Sequence, residues 1–172
     1  MIPVVIDASV AIAILRKEPE GPPAVFAIGR WVRDGADLVV PAHFWLEVLN
    51  GLLMRYRWPG DRALEAVHRL DEFGLRTIPL DRALLLSTLD VAERHRLTAY
   101  DATYLALADL LDGRICTFDR ALSVAGGTRV VTLDGRRLSE APTPYGGRPL
   151  WPNYKDASAF LAKLRVEAAT PR

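Results

Sequence analysis

The chain has 172 residues, of which 50% are hydrophobic and 25% charged, a composition typical of one soluble globular domain. Its net charge of +1 and the lack of an apolar run of about 20 residues exclude a strongly basic nucleic-acid binder and a membrane-spanning protein. The single cysteine, Cys116, cannot form an internal disulfide, and the opening residues lack the basic start of a secretory signal. We therefore expect a cytoplasmic protein with no membrane segment.

Short β-branched strands alternate with helical segments along the first part of the chain. We predict strands over residues 2–6, 38–41, 76–78, 114–118 and 129–132. The predicted helices lie between them, over residues 7–15, 23–33, 43–56, 61–72, 81–96, 102–111 and 120–125. This alternation predicts a single α/β domain with a mainly parallel central sheet that is flanked by helices on both faces.

The composition changes after Asp134. Proline and glycine are frequent up to Pro152, and an apolar stripe that includes Phe160 then favours a terminal helix. We therefore predict a core domain over residues 1–134 and a C-terminal extension over 135–172, which is an arm and a helix rather than an independent domain. We expect the extension to fold against the core or a second subunit and to bury Trp151 and Phe160.

Four acidic residues are predicted to meet at one edge of the sheet. Asp7 directly follows the first strand, and Glu47 lies one turn into the helix after the second, so both belong to the edge where the strands end. Asp101 is predicted as the N-cap of a helix that descends about 15 Å, and the next strand climbs back about 16 Å to Asp119. All four carboxylates therefore come out on the same rim.

Carboxylates that converge in this way repel one another unless a cation lies between them. Mg²⁺ and Mn²⁺ prefer oxygen ligands and can activate water against a phosphodiester, so the four acids are candidate metal ligands and catalytic residues. Ser9 and Thr117 each lie two residues from one of these acids, and Asn50 lies one turn after Glu47. We predict supporting roles for these three polar side chains.

Each of these residues also has a structural interpretation. Asp101 and Asp119 can act as helix N-caps, and Glu47 can be a solvated helix position. The segment Arg55-Tyr56-Arg57-Trp58 places cations beside aromatic rings, which suits RNA stacking but is also typical of a solvated helix end. The candidate RNA-binding residues are Arg55, Arg57 and Arg120.

Other catalytic chemistries find no motif in the sequence. It contains no phosphate-binding loop of the Gly-x-x-x-x-Gly-Lys type, no Gly-x-Ser-x-Gly elbow and no Gly-x-Gly-x-x-Gly. The three histidines lack zinc-ligand spacing. A phosphatase with an aspartate nucleophile would need a second acid at the position that Ser9 occupies.

Four segments of the chain together resemble PIN-domain proteins, in particular the VapC-type toxins of bacterial and archaeal toxin–antitoxin pairs. They are VIDASVAIAILRKE with Asp7, PAHFWLEVLNGL with Glu47, LTAYDATYLALA with Asp101 and ICTFDRAL with Asp119. The resemblance covers residues 1 to about 134, and the extension beyond is a departure from typical members. It assigns the family's acidic set to these four residues and its supporting polar residue to Ser9 or Thr117.

The resemblance implies an endoribonuclease that depends on Mg²⁺ or Mn²⁺, is usually a homodimer and is held inactive by a cognate antitoxin. We therefore expect this protein to cleave RNA phosphodiester bonds with metal-activated water, as the toxin of such a pair. The alternative is a PIN-like module that binds RNA or protein without catalysis. The four mutually repelling acids favour the enzyme, since a binding module has no need of them.

Overall fold

A computed structural model of the protein describes residues 2–131 and residue 133. Its centre is a sheet of four parallel strands in the order β3-β2-β1-β4. In chain order the strands are β1 (Pro3–Ile6), β2 (Asp37–Pro41), β3 (Arg76–Ile78) and β4 (Arg114–Cys116). The predicted α/β class with a mainly parallel sheet is therefore confirmed.

Seven α-helices surround the sheet in the described part of the chain. They are α1 (Ala8–Arg16), α2 (Gly21–Arg33), α3 (Phe44–Asn50), α4 (Gly60–Asp71), α5 (Arg82–His95), α6 (Ala99–Leu110) and α7 (Arg120–Gly126). The connections from β1 to β2 and from β2 to β3 step one way along the sheet, whereas the connection from β3 to β4 returns past β1. Since such crossovers are right-handed, α1 to α4 cover one face and α5 and α6 cover the other, as predicted.

The sheet and α6 form the centre of the hydrophobic core. Val4 and Val5 of β1 are fully buried, as expected for strands of a parallel sheet covered on both faces. In α6 the seven consecutive residues from Ala102 to Ala108 are all buried, because this helix packs against β1, β2 and β4 and also against α5. Its alanines allow this close approach. The N-terminal turn of α6 is thereby held on a rigid scaffold.

The start of α6 differs from the prediction. The helix begins at Ala99 rather than at residue 102, and its N-cap is Thr98, whose Oγ1 accepts a hydrogen bond from the backbone N–H of Asp101 at 3.2 Å. Asp101 therefore lies in the first turn, and its predicted N-cap position was wrong. The N-cap interpretation of Asp119 is confirmed, because its Oδ1 accepts from the N–H of Leu122 at 2.7 Å.

Three other elements are also shorter or less regular than predicted. The helix predicted over residues 43–56 consists of α3 followed by a π-helical turn, Gly51–Arg55. β4 ends at Cys116 rather than at residue 118. In place of the strand predicted at residues 129–132, a 3₁₀ turn at Gly127–Arg129 follows α7, and Val130 alone forms a β-bridge, to Ile115. Because Arg129 belongs to the 3₁₀ turn, it cannot begin an extended strand.

The C-terminal predictions lie outside the described residues. They comprise the domain boundary at 134, the Pro/Gly-rich arm and the terminal helix of the 135–172 extension. Within the described part of the chain, no helix combines the length and apolar character that a bilayer crossing requires.

Candidate active site

A cleft of about 740 Å³ opens at the edge where the parallel strands end, and it contains all four predicted acids. Asp7 follows β1, Glu47 belongs to α3, Asp101 to the first turn of α6, and Asp119 precedes α7; all four line the cleft. The structure thus brings together four carboxylates that are up to 112 positions apart in the sequence (119 − 7).

Asp7 lies deepest in this group, with only 5% of its surface exposed. Its backbone N–H donates to the carbonyl of Cys116 at 3.0 Å, which continues the β1–β4 pairing by one residue. Its side-chain Oδ2 accepts two hydroxyl hydrogen bonds, from Thr117 at 2.7 Å and from Ser9. One oxygen of the carboxylate is therefore fixed by the protein.

The electrostatic environment of Asp7 opposes its ionisation. Burial raises its pKa above the ordinary value, and the negative charge of Asp101 adds to this effect. Hydrogen bonds from Ser9, Thr117 and the backbone of Ala8 act in the opposite direction, because they stabilise the carboxylate. The raised pKa shows that burial outweighs them.

The two hydroxyls that bind Asp7 also order the loop after β4. Ser9 Oγ accepts from the backbone N–H of Phe118 at 3.0 Å, and Thr117 Oγ1 accepts from that of Asp119 at 2.9 Å. Each hydroxyl thus donates to Asp7 and accepts from the loop. Ser9 and Thr117 thereby connect Asp7 with Asp119, which is a supporting position for both residues.

Glu47 is held by an aromatic side chain from the neighbouring helix. The hydroxyl of Tyr104 in α6 donates to Glu47 Oε2, and His43 Nε2 lies 3.5 Å from the same oxygen. The ring centroids of His43 and Tyr104 are 5.1 Å apart in an edge-to-face arrangement. Because burial raises the pKa of Tyr104, its hydroxyl keeps its proton and serves as a donor.

The pKa of Glu47 is also raised. Burial is the main cause, and the charges of Asp7 and Asp101 add to it, whereas the hydrogen bond from Tyr104 lowers it. Burial lowers the pKa of His43, so this imidazole favours the neutral form beside Glu47. Asp7, Glu47 and Asp101 therefore interact electrostatically as one group.

Tyr104 and His43 were not predicted as part of this site. Tyr104 lies three residues after Asp101 on the same helix, and His43 lies four residues before Glu47. Such spacing places each on the same helix face as an acid, and this signal could have identified both.

The lining of the cleft also combines arginines with an aromatic ring. The Arg16 guanidinium lies 3.6 Å from the centroid of the Tyr56 ring, and Arg55 lies 5.2 Å from it. All three residues line the cleft, together with Glu18 and Glu20. Arg16 follows from no sequence motif; only the fold brings it beside Tyr56.

The other predicted residues lie outside the lining of the cleft. Asn50, Arg57 and Arg120 are exposed and do not belong to it, whereas Thr117 is buried beneath Asp7. Of the three candidate RNA-binding arginines, the structure places only Arg55 in the cleft.

The donor chemistry of the four acids fits a hard divalent cation, because Mg²⁺ and Mn²⁺ prefer carboxylate oxygens. The charge of Asp101 raises the pKa values of Asp7 and Glu47, the charge of Asp7 also raises that of Glu47, and a cation would offset this repulsion. Among the described residues, however, no three His, Cys, Asp or Glu side chains are grouped closely enough to hold a metal ion. Glu47 is bound to Tyr104, and Asp101 Oδ2 accepts from Thr98 at 2.7 Å.

Solved structures with a similar fold come from several bacteria and archaea, and they include one described as a toxin and one described as a toxin complex. One is described as a toxin–antitoxin complex from Klebsiella pneumoniae, with 19% identity over 76% of this chain and 97% of the other and a TM-score of 0.59. VapC20 from Mycobacterium tuberculosis, described as a sarcin-ricin loop cleaving toxin, has 19% identity over 74% and 98% of the chains and a TM-score of 0.57. PAE2754 from Pyrobaculum aerophilum has 20% identity over 76% and 88% and a TM-score of 0.55.

At these identities the similarity concerns the fold. No curated protein sequence matches the chain. The family model of the PIN domain matches residues 4–127, which include all four acids of the cleft and the whole sheet except Pro3 at the start of β1. The protein therefore belongs to the PIN domain family.

Proposed function

We propose that this protein is a divalent-metal-dependent endoribonuclease and the toxin of a toxin–antitoxin pair. The observation that carries the proposal is the convergence of Asp7, Glu47, Asp101 and Asp119 in one cleft of a PIN domain. The cleft also contains the arginines Arg16 and Arg55 beside the ring of Tyr56. A cleft that combines carboxylates with arginines and an aromatic ring suits a phosphodiester between nucleotides.

The proposed roles follow from the contacts of each residue. The four carboxylates would hold Mg²⁺ or Mn²⁺. Such an ion would supply positive charge at the phosphate and would lower the pKa of water, so that hydroxide is available to attack the phosphorus. Ser9 and Thr117 orient Asp7 through its Oδ2, and Tyr104 orients Glu47 through its Oε2. Arg55, which lines the same cleft, would bind a phosphate of the RNA.

The proposed partners are an RNA substrate, a cognate antitoxin and a second copy of the chain, in the cytoplasm. The structural neighbour from Klebsiella pneumoniae supports the antitoxin, since it is described as a toxin–antitoxin complex. Leu85 and Leu89 lie one turn apart on α5 and are 52% and 57% exposed, which supports a subunit contact there. Light scattering of the full chain tests the dimer.

A PIN-like binding module without catalysis is the alternative. It is favoured by the lack of a ready metal cluster among the described residues and by the use of Asp119 as a helix cap. The two proposals differ in whether the acids act on the bound RNA, and a cleavage assay separates them.

The experiment measures cleavage of RNA by the full chain with Mg²⁺, with Mn²⁺ and with a chelator. We expect cleavage only with metal, and products without a 2′,3′-cyclic phosphate, because water rather than the 2′-hydroxyl is the nucleophile. Glu47→Gln should abolish it. Glu20→Gln is the matched control, since Glu20 lines the same cleft but is exposed.

Cleavage that persists in the chelator, or products with 2′,3′-cyclic phosphate ends, would refute the metal-dependent mechanism. Retention of RNA by a chain that cuts nothing in either metal would support the binding module instead.

A further inference from the structure

A second groove, of about 240 Å³, lies between the end of α1 and α4. Its polar and aromatic lining consists of Arg16, Lys17, Trp58, Arg62, Glu65 and Arg69, and we call it the basic groove. Neither the four acids nor Tyr104 contribute to it. Four of its six named residues are cationic and one is anionic, although the chain as a whole carries a net charge of only +1.

The positive charge of the basic groove is only partly neutralised. Arg69 pairs with Glu65 at 2.6 Å, and Arg16 pairs with Glu18. Lys17 and Arg62 pair with no carboxylate among the residues that the structure describes. Two cations therefore remain available for an anionic ligand.

The groove also presents an aromatic surface of a kind that nucleic-acid bases use. The guanidinium of Arg62 lies 3.7 Å from the centroid of the half-buried Trp58 ring, so the two side chains form a stacked cation–aromatic pair whose Arg62 member is exposed. The Trp58 backbone is anchored, because its N–H donates to the carbonyl of Leu52 at 2.9 Å. Bases of single-stranded RNA stack on such rings and on arginine planes.

The basic groove is continuous with the acidic cleft. Arg16 lines both, and the Tyr56 ring beneath its guanidinium belongs to the cleft. A strand that leaves the acids across Tyr56 would therefore reach Trp58 and Arg62 next. Both surfaces combine cations with an aromatic ring, and together they form one path.

From this path we infer that the basic groove binds single-stranded RNA next to the phosphodiester that is cut. Lys17 and Arg62 contact backbone phosphates, and a base stacks against the Arg62–Trp58 pair. The inference rests on the proposed function for the position of the cut but not for the binding itself. The cation–aromatic pair and the continuity with the nuclease cleft favour RNA over an acidic protein segment.

The test measures binding of a fluorescent oligouridine to the full-length protein in a chelator, where no metal-dependent cleavage occurs. The double variant Lys17→Gln/Arg62→Gln should bind about tenfold more weakly or worse. The slope of log affinity against log salt should fall by about 1 to 2, because each lost phosphate contact removes about 0.7 for single strands. The control is Arg33→Gln/Arg82→Gln, since both arginines are exposed and line neither groove.

Stacking has its own readout. Oligouridine should quench the tryptophan fluorescence of the wild type, and Trp58→Phe should lose this quenching while its circular dichroism stays that of a folded protein. The chain has three other tryptophans, Trp31, Trp45 and Trp151, so the difference in quenching between the wild type and Trp58→Phe is the readout.

Equal affinity and equal salt slopes in the two double variants would overturn the inference. The inference would also be overturned if the double variant Lys17→Gln/Arg62→Gln lost its binding to a co-purified protein while its affinity for RNA stayed unchanged. A protein that binds through the groove but cuts no RNA in Mn²⁺ would support the groove and refute the nuclease. Metal-dependent cleavage together with unaltered RNA binding by the groove variants would support the nuclease and refute the role of the groove.

Discussion

Replacement of Asp7 by Asn isolates the charge of the deepest acid in the cleft. Both hydroxyl hydrogen bonds of Asp7, from Ser9 and Thr117, reach the same oxygen, Oδ2. The amide oxygen of Asn can occupy that position and accept both. The substitution therefore keeps the shape and the local bonds while it replaces the second carboxylate oxygen by an NH₂ group, which cannot bind a cation.

Opposing effects set the expected change in stability without metal. Hydrogen bonds to a neutral acceptor are weaker than those to a carboxylate by about 1 kcal/mol each, so two bonds cost about 2 kcal/mol. The variant no longer buries a charge, whose desolvation costs several kcal/mol in proteins. The raised pKa of Asp7 shows that desolvation exceeds its hydrogen bonds. We expect the metal-free variant to be as stable as the wild type or more stable.

With metal bound, we expect the wild type to be more stable than Asp7→Asn. A ligand at 100 times its dissociation constant stabilises a protein by about 2.7 kcal/mol, which corresponds to roughly 10 °C for a domain of this size. Mn²⁺ should raise the unfolding temperature of the wild type by this order and that of Asp7→Asn by much less. RNA cleavage should fall by about 100-fold or more.

Thermal unfolding with and without Mn²⁺, run beside RNA cleavage, measures both effects. Asp34→Asn is the control, because Asp34 is exposed at the end of α2 and does not line the cleft. An equal Mn²⁺ response in Asp7→Asn and the wild type would refute the assignment of Asp7 to a metal site, as would undiminished cleavage.

Three further predictions concern pH, positioning and folding. Burial raises the pKa values of Asp7 and Glu47 above 3.8 and 4.5, so above about pH 4 the folded state holds more protons than the unfolded state. The free energy of unfolding without metal should therefore fall as pH rises through the raised pKa values. Urea titrations measure this, and a difference in unfolding free energy between the wild type and Asp7→Asn that stays constant with pH would contradict it. Tyr104→Phe keeps the ring but loses the donor to Glu47, and should weaken Mn²⁺ binding by about 10- to 100-fold in calorimetry, with unchanged affinity as the contrary result. Arg129→Met removes the 2.7 Å ion pair to Asp109 and should cost about 3 kcal/mol in chemical denaturation, whereas a loss below about 1 kcal/mol would show that the pair contributes little.

The position of the acids could be predicted from the sequence because it depends on local features. Asp7 directly follows an apolar β-branched run, and the lengths of one helix and one strand relate Asp101 to Asp119. The start of α6 was misplaced for a local reason as well. Thr98 and Asp101 form a capping-box pattern with Thr98 as the cap, and this competes with Asp101 as an N-cap.

The remaining parts of the site depend on contacts across the chain. Tyr104 and Glu47 are 57 positions apart, so the hydrogen bond between them has no sequence signature. The basic groove combines the end of α1 with α4. The π-helical turn at Gly51–Arg55 carries the same spacing of apolar residues as an α-helix and could not be distinguished from one.

The burial of α6 on all sides has a consequence for how the cleft opens. An element with seven consecutive buried residues exchanges its amide hydrogens only when the whole domain unfolds. α7, which Asp119 caps, has two buried residues among its seven and is free to open locally. The cleft should therefore span a gradient of protection, from slowly exchanging amides in the buried part of α6 that follows Asp101 to faster ones in α7 beyond Asp119. A ligand that bridges these acids would slow hydrogen exchange in α7 and leave that of α6 unchanged.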